Sequence, residues 1–214
     1  MKKLFVCILC SLCVSLHVSA QRNEPVSTWN FEARVASSIK VVDAEMANSN
    51  ITVIGDTDSK ATVELFISGN SPDIRSRQWS DEEIRQELER SFTIVVKAEG
   101  GKLLVEAKQK NSRPQFGLTF KITVPKHVDS NLQTTNGNID ISNLSGSQDF
   151  NTTNGNLRIE HISGTIMGRT RNGNITAKSS EGKISLTTTN GNINISNLSG
   201  DISTKTTNGT VRRQ

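Results

Sequence analysis

The sequence predicts an all-β chain, a parallel β-solenoid (β-helix) of two-strand coils of about 18 residues, with one short helix in its N-terminal half. Three observations predict it. A glycine recurs every nine residues from Gly137 to Gly209. Aliphatic residues follow those glycines at alternate positions. Aromatic residues are only 4% of the chain and tyrosine is absent, too few for a globular core built on large rings.

Internal repeats come first because they fix the architecture. Asn-Gly stands at Asn136-Gly137, Asn154-Gly155, Asn172-Gly173, Asn190-Gly191 and Asn208-Gly209, 18 residues apart each time, with Gly146, Gly164, Gly182 and Gly200 midway. Two residues after the Asn-Gly glycines come Ile139, Leu157, Ile175, Ile193 and Val211, a candidate core ladder. On the other half-repeat come Ile166, Ile184 and Ile202, with Gln148 as the exception. Four residues after come Ile141, Ile159, Ala177 and Ile195, and opposite them Phe150 and Leu186. Alternating apolar residues bounded by glycine turns are strands with one buried face. Glycine and asparagine accept the left-handed backbone that corners require. A unit that cannot bury its own face must stack on copies of itself, each strand pairing with its counterpart one repeat away at about 4.8 Å.

The side-chain columns follow from this register. Leu144, Ile162 and Leu198 turn inward at the second corner, and Ser180 interrupts them. Asn136, Asn154, Asn172, Asn190 and Asn208 form one amide column and Asn138, Asn156, Asn174 and Asn192 another; both are read as structural ladders. Thr134, Thr152, Thr170, Thr188 and Thr206 share the inward parity. Thr135, Thr153, Thr189 and Thr207 face outward but Arg171 breaks their column, so the two flat threonine columns of an ice-binding face are not formed.

The N-terminal half is less regular. Lys2 and Lys3, the apolar run Leu4–Val18 and the small residues of Val18-Ser19-Ala20 make a secretory signal peptide, cut after Ala20. Cys7, Cys10 and Cys13 all lie inside it, so the mature chain has no disulfide, and neither Cys10 nor Cys13 follows the small residue that lipid attachment favours. Residues 21–30 read as a polar leader, 31–130 as an irregular β region and 131–214 as the regular repeats. Asn48-Ser49-Asn50-Ile51-Thr52-Val53 echoes the repeat and is expected to form an early coil. Ser80-Asp81-Glu82-Glu83 is a capping box, and Ile84, Leu88 and Phe92 make one apolar stripe, so a helix is predicted over 80–92, covering an end or side of the stack. Thr93–Val96 and Leu103–Ala107, joined through Glu99-Gly100-Gly101, predict a hairpin. Leu118, Phe120, Ile122 and Val124 alternate as a strand. At the far end Arg213 takes the position of Ile195, and Arg212-Arg213 discourages edge pairing.

The unit Thr-Thr-Asn-Gly-Asn-Ile-x-Ile-Ser-Asn-Leu-Ser-Gly, at 134–146 and again at 188–200, resembles a bacterial exported β-strand-repeat family of unknown function that carries an adhesin label. Ile122-Thr123-Val124-Pro125 running into the first repeat is similar too. The resemblance covers residues 31–214 and implies a solenoid at the cell surface or in the periplasm. It brings no catalytic residues with it.

The residues themselves offer little chemistry. His127 and His161 lack metal-ligand spacing, and no G-x-S-x-G, H-E-x-x-H or P-loop is present. The calcium-roll pattern G-G-x-G-x-D is not matched. The outward columns Asp140, Arg158, Thr176, Asn194, Arg212 and Asp149, Met167, Ser185, Ser203 stack no two acids as neighbours, whereas a glycosidase needs a carboxylate pair. Without Lys2 and Lys3 the chain has 23 basic and 21 acidic residues, a balance that does not point to nucleic acid. Arg158, Arg169, Arg171, Lys178, Lys183 and Lys205 are read as solvated surface.

The sequence therefore names no catalytic, cofactor-binding or metal-binding residue. It points to a non-catalytic exported structural or binding protein with no transmembrane helix after cleavage. It would be periplasmic, surface-held or secreted, with a polysaccharide or an envelope protein as partner and end-to-end self-association as a further mode. The alternative is a carbohydrate-active enzyme working where the irregular half meets the repeats. Purified 21–214 is expected to give a β-type circular dichroism spectrum and to unfold cooperatively, with the same midpoint in chelator; a helical or disordered spectrum would refute the fold assignment.

Overall fold

The computed structural model of the chain describes residues 17–18, 26–31, 39–57, 61–69, 78–111 and 113–214. The segment read as a signal peptide, with its expected cleavage point and the three cysteines, lies outside the described residues, except for the backbone of His17–Val18. Among the described residues the fold is all-β with one helix. The strands are β1 (His17–Val18), β2 (Val26–Phe31), β3 (Val41–Met46), β4 (Ser49–Asp56), β5 (Thr62–Gly69), β6 (Phe92–Glu99), β7 (Lys102–Gln109), β8 (Phe116–Pro125), β9 (Asp129–Asn136), β10 (Ile139–Ser142), β11 (Ser145–Asn154), β12 (Leu157–Glu160), β13 (Ser163–Asn172), β14 (Ile175–Asn190), β15 (Ile193–Asn208) and β16 (Val211–Arg213); the helix, α1, is Asp81–Ser91. All strands belong to one mostly parallel sheet that folds back on itself.

Two stacks of strands face each other. One runs β8, β4, β10, β12, the start of β14, the start of β15, and β16. The other runs β7, β3, β9, β11, β13, the end of β14 and the end of β15. Each repeat crosses from the second stack to the first at its Asn-Gly corner, so one repeat is one rung. Ile139 pairs with Leu157, Leu157 with Ile175, Ile175 with Ile193 and Ile193 with Val211. The first four of these are at most 1% exposed, while Val211 on the last rung is 38% exposed. Burying an aliphatic side chain of this size contributes roughly 1.5–3 kcal/mol, and the rungs repeat that gain.

Exceptions to the apolar pattern are internally satisfied. Gln148 is fully buried; its Oε1 accepts from Ser130 Oγ at 2.5 Å and its Nε2 donates to the Val128 carbonyl at 2.7 Å. Ser180, in place of an inward leucine, accepts from the Ile162 backbone N–H at 3.1 Å and donates to the Lys178 carbonyl at 2.8 Å. Buried polar groups paired in this way avoid the penalty of an unmade bond.

The early coil is present, but in an unexpected place. Residues 39–57 do not precede the stack. β3 pairs with β7 on one side and β9 on the other, while β4 lies between β8 and β10. The pairing Ile51↔Ile139 joins residues 88 positions apart. The chain thus lays down this rung, leaves after Asp56, builds the end of the stack with β5, β6, β7 and β8, and returns to add the regular rungs on the other face of the first coil. Parallel pairing stops at that end. β5 runs antiparallel to β8, β6 antiparallel to β7, and β2 antiparallel to β5; the end of the segment read as a leader is therefore a strand.

Helix α1 sits at this end. Ser80 and Glu83 form the capping box, with Ser80 N–H donating to Glu83 Oε2 at 2.9 Å and Glu83 N–H to Ser80 Oγ at 3.3 Å. Ile84 and Leu88 enter the core, and Phe92 begins β6 instead of ending the helix. Trp79 meets Phe116 edge-on at 4.9 Å. Burial pushes the Glu87 carboxyl up, but hydrogen bonds from Ser91, Arg90 and the Gln115 backbone outweigh it and hold its pKa below the ordinary value.

Both kinds of glycine are crowded by the rung beneath, where a Cβ on Gly164, Gly182 or Gly200 would lie 2.1–2.4 Å from a carbonyl oxygen, but only these midway glycines also need a positive φ. Gly146, Gly164, Gly182 and Gly200 have φ between +104° and +122°. The Asn-Gly glycines are not left-handed. What excludes a side chain there is the rung beneath: a Cβ on Gly155 would lie 1.9 Å from the Gly137 carbonyl oxygen, and one on Gly173 the same distance from that of Gly155. The left-handed corner residues are instead Asn143, His161, Ser179 and Asn197. Gly155→Ala is expected to destabilise the chain by about 3 kcal/mol or more, because two backbones must separate. Gly100→Ala, at φ +59° with nothing within 4 Å, should cost only about 1–2 kcal/mol. Equal losses in urea unfolding would show that conformation, not stacking, selects the Asn-Gly glycines.

Candidate functional site

The first corner carries three ladders, and one of them is incomplete. The inward threonines cap the stack: Thr152, Thr170, Thr188 and Thr206 donate to the carbonyls of Gly137, Gly155, Gly173 and Gly191 at 2.8–3.0 Å. The first asparagine column is a closed amide ladder. Asn154, Asn172, Asn190 and Asn208 each donate Nδ2 to Oδ1 of the asparagine one rung earlier at 2.7 Å, and Asn136 donates to Asn48.

The second column differs. Oδ1 of Asn138, Asn156 and Asn174 accepts the backbone N–H of Asn156, Asn174 and Asn192 at 2.8 Å, and Asn192 accepts that of Thr210 at 2.9 Å. These bonds fix the four side chains, yet their Nδ2 groups make no bond within the described residues. Four amide N–H₂ groups therefore stand in a row, one per rung, rigid and uncommitted.

They line a groove of about 580 Å³ on the outer face of the β10, β12, β14 and β15 strands, together with Asp140, Leu157, Arg158, Thr176 and Asn194. Asp140 and Arg158 face each other on neighbouring rungs at 3.5 Å. Burial pushes the Asp140 carboxyl up, Arg158 draws it down and Glu160 pushes it up again; the net pKa lies above the ordinary value. Reading single columns missed the Asp140–Glu160 influence because the two acids are diagonal neighbours, separated by one rung and two positions along the strand.

The sequence-identified residues are brought together as follows. Asn136, Asn154, Asn172, Asn190 and Asn208 lie in the closed ladder beside the groove. Gly137, Gly155, Gly173, Gly191 and Gly209 form the corner floor. Ile139, Leu157, Ile175 and Ile193 are buried behind the groove. The histidines do not converge. His161 is a left-handed corner residue. His127 Nδ1 lies 2.6 Å from Ser145 Oγ, where the chain steps over the early coil. Asp129, the nearest acid in sequence, accepts the Ser147 backbone N–H at 2.7 Å instead, so the contact reads as a bridge between rungs. Among the described residues no group of three His, Cys, Asp or Glu could hold a metal, and no helix is long and apolar enough to cross a membrane.

Residues 62–214 match the family described as Toastrack DUF4097. The chain belongs to that family, whose function is unknown. No curated protein matches the sequence. Several solved structures resemble this Toastrack chain. A "putative cell adhesion protein" of Clostridium sporogenes is 8% identical, covering 88% of this chain and 97% of its own, with TM-score 0.41. A "putative adhesin" of Bacteroides fragilis is 15% identical over 88% and 97%, TM-score 0.39. One of Parabacteroides distasonis is 11% identical over 90% and 98%, TM-score 0.37.

The raised Asp140 carboxyl has a consequence for stability. Its ionised form costs the folded Toastrack chain stability above the raised pKa, and the cost disappears below the unfolded value of about 3.9, where both states are protonated. Asp140→Asn should therefore raise the thermal midpoint at pH 7 and leave it unchanged near pH 3. A lower midpoint at pH 7 would mean that the Arg158 pair outweighs burial.

Proposed function

We propose that this chain is a non-catalytic, exported β-solenoid that binds a partner along its corner groove, an adhesin or envelope-bound binding protein. The observation that supports the reading is the row of uncommitted Asn Nδ2 groups. Each is fixed in place by its own Oδ1 bond to the next rung, so binding would cost little side-chain ordering. The 18-residue pairing register supports the solenoid, and the signal-peptide pattern before Gln21 supports export.

One observation favours the carbohydrate-active alternative. Asp140 lies in the groove with Glu160 nearby, and burial raises its carboxyl pKa, the direction in which a general acid is shifted. Turnover of an envelope glycan that Asp140→Asn abolishes would select that reading.

Fractionation of the producing cells tests the first. The chain is expected in the envelope or the medium, lacking its first 20 residues by mass, and open to protease or to an added ligand without cell lysis. Full-length protein held in the cytoplasm would overturn it.

A further inference from the structure

We infer that the groove takes a neutral, hydroxyl-rich glycan chain lying along the stack axis, an inference that rests on the binding reading above and names its ligand class. The groove offers both halves of the hydrogen-bond exchange that a sugar hydroxyl makes. Donors are the Nδ2 groups of Asn138, Asn156, Asn174 and Asn192; acceptors are the Asp140 carboxylate and the side chains of Thr176 and Asn194.

Charge separates the neutral class from its charged relatives. The lining holds one carboxylate and one guanidinium, and these face each other at 3.5 Å. A polyanion laid in the groove would meet Asp140, and a polycation would meet Arg158. A neutral polyol meets neither penalty and can bond to both.

Geometry sets the direction. The four amides recur at the rung spacing of about 4.8 Å, so the row spans roughly 14 Å along the axis. A linear glycan presents hydroxyls at a comparable repeat and can meet successive rungs. Leu157, the apolar residue in the lining, is 1% exposed and presents almost no surface to the groove; without an aromatic platform, recognition rests on hydrogen bonds, and a single groove binds weakly. Tight attachment would then come from many copies on one surface.

The test uses purified 21–214 and nuclear magnetic resonance of its asparagine side-chain amides. The probes are cellohexaose and mannohexaose as neutral chains, a hexagalacturonate as an anionic chain and a chitosan hexamer as a cationic one. At least one neutral hexamer should shift the Nδ2 signals of Asn138, Asn156, Asn174 and Asn192 saturably. Asn174→Asp keeps the Oδ1 bond to the Asn192 N–H but replaces the free donor with an acceptor, and should weaken binding at least tenfold. Ser185→Asp, a charge on the opposite stack, should leave binding unchanged, and unaltered backbone spectra for both variants confirm folding. A charged hexamer bound in the groove more tightly than either neutral one would overturn the glycan class while leaving a binding groove in place. No shift with any probe would overturn the glycan inference; if the asparagine signals also stay fixed against intact envelope extract, the binding reading falls with it.

Discussion

The fold depends on how closely one backbone can rest on the next. At the Asn-Gly corner the rungs approach until a single methyl group would sit about 2 Å from a carbonyl oxygen below it. Glycine permits the approach, and the approach brings the rest within reach. The threonine hydroxyl reaches the glycine carbonyl of the earlier rung, the first asparagine reaches the asparagine beneath it, and the second reaches a backbone N–H of the next rung. The flat aliphatic ladders behind the corner need the same spacing, because side chains in successive rungs pack only when their backbones are evenly stacked.

The proposed groove and the bonds that hold the rungs share this corner without competing. The closed ladder uses both ends of its amides, and the second column uses only its oxygen. The protein thereby obtains fixed, directed donors as a by-product of the bonds that hold the rungs. Their number follows the number of repeats. Arg158 and Asp140 stand in the same groove at positions where the repeat itself varies, with Thr176 and Asn194 continuing the column. A recognition surface on such a frame changes through its outward column while the inward ladder and the corner stay constant.

The N-terminal half solves a different problem. A stack has ends, and unpaired parallel edges invite further strands. Here the chain places its first coil inside the stack, then uses the following segment to build a terminal rung flanked by antiparallel strands and by α1. Glu87, buried and bonded to Ser91 and Arg90, ties the helix to the bend before β8. Because the coil of residues 39–57 pairs on both sides with later segments, its neighbours form only after long loops close.

The regular rungs were legible because one chemical constraint repeats at fixed spacing: Gly137, Gly155 and Gly173 mark the corners, and Ile139, Leu157 and Ile175 mark the inward face. The capping box at Ser80 and Glu83 and the Gly100-Gly101 turn were legible for a similar reason, since each is complete within a few residues. Periodicity could not say why each glycine is needed, because left-handed backbone and a crowded neighbour leave the same residue in the sequence. Nor could it place residues 39–57 between two rungs, or find the Asp140–Glu160 influence, or separate the closed amide column from the open one. Those depend on which distant segments meet. The sequence by itself determined the rung, a local object whose pattern is written in every repeat; only the tertiary structure decided the order in which rungs lie together and the donors left over where they touch, because both arise from contacts between rungs.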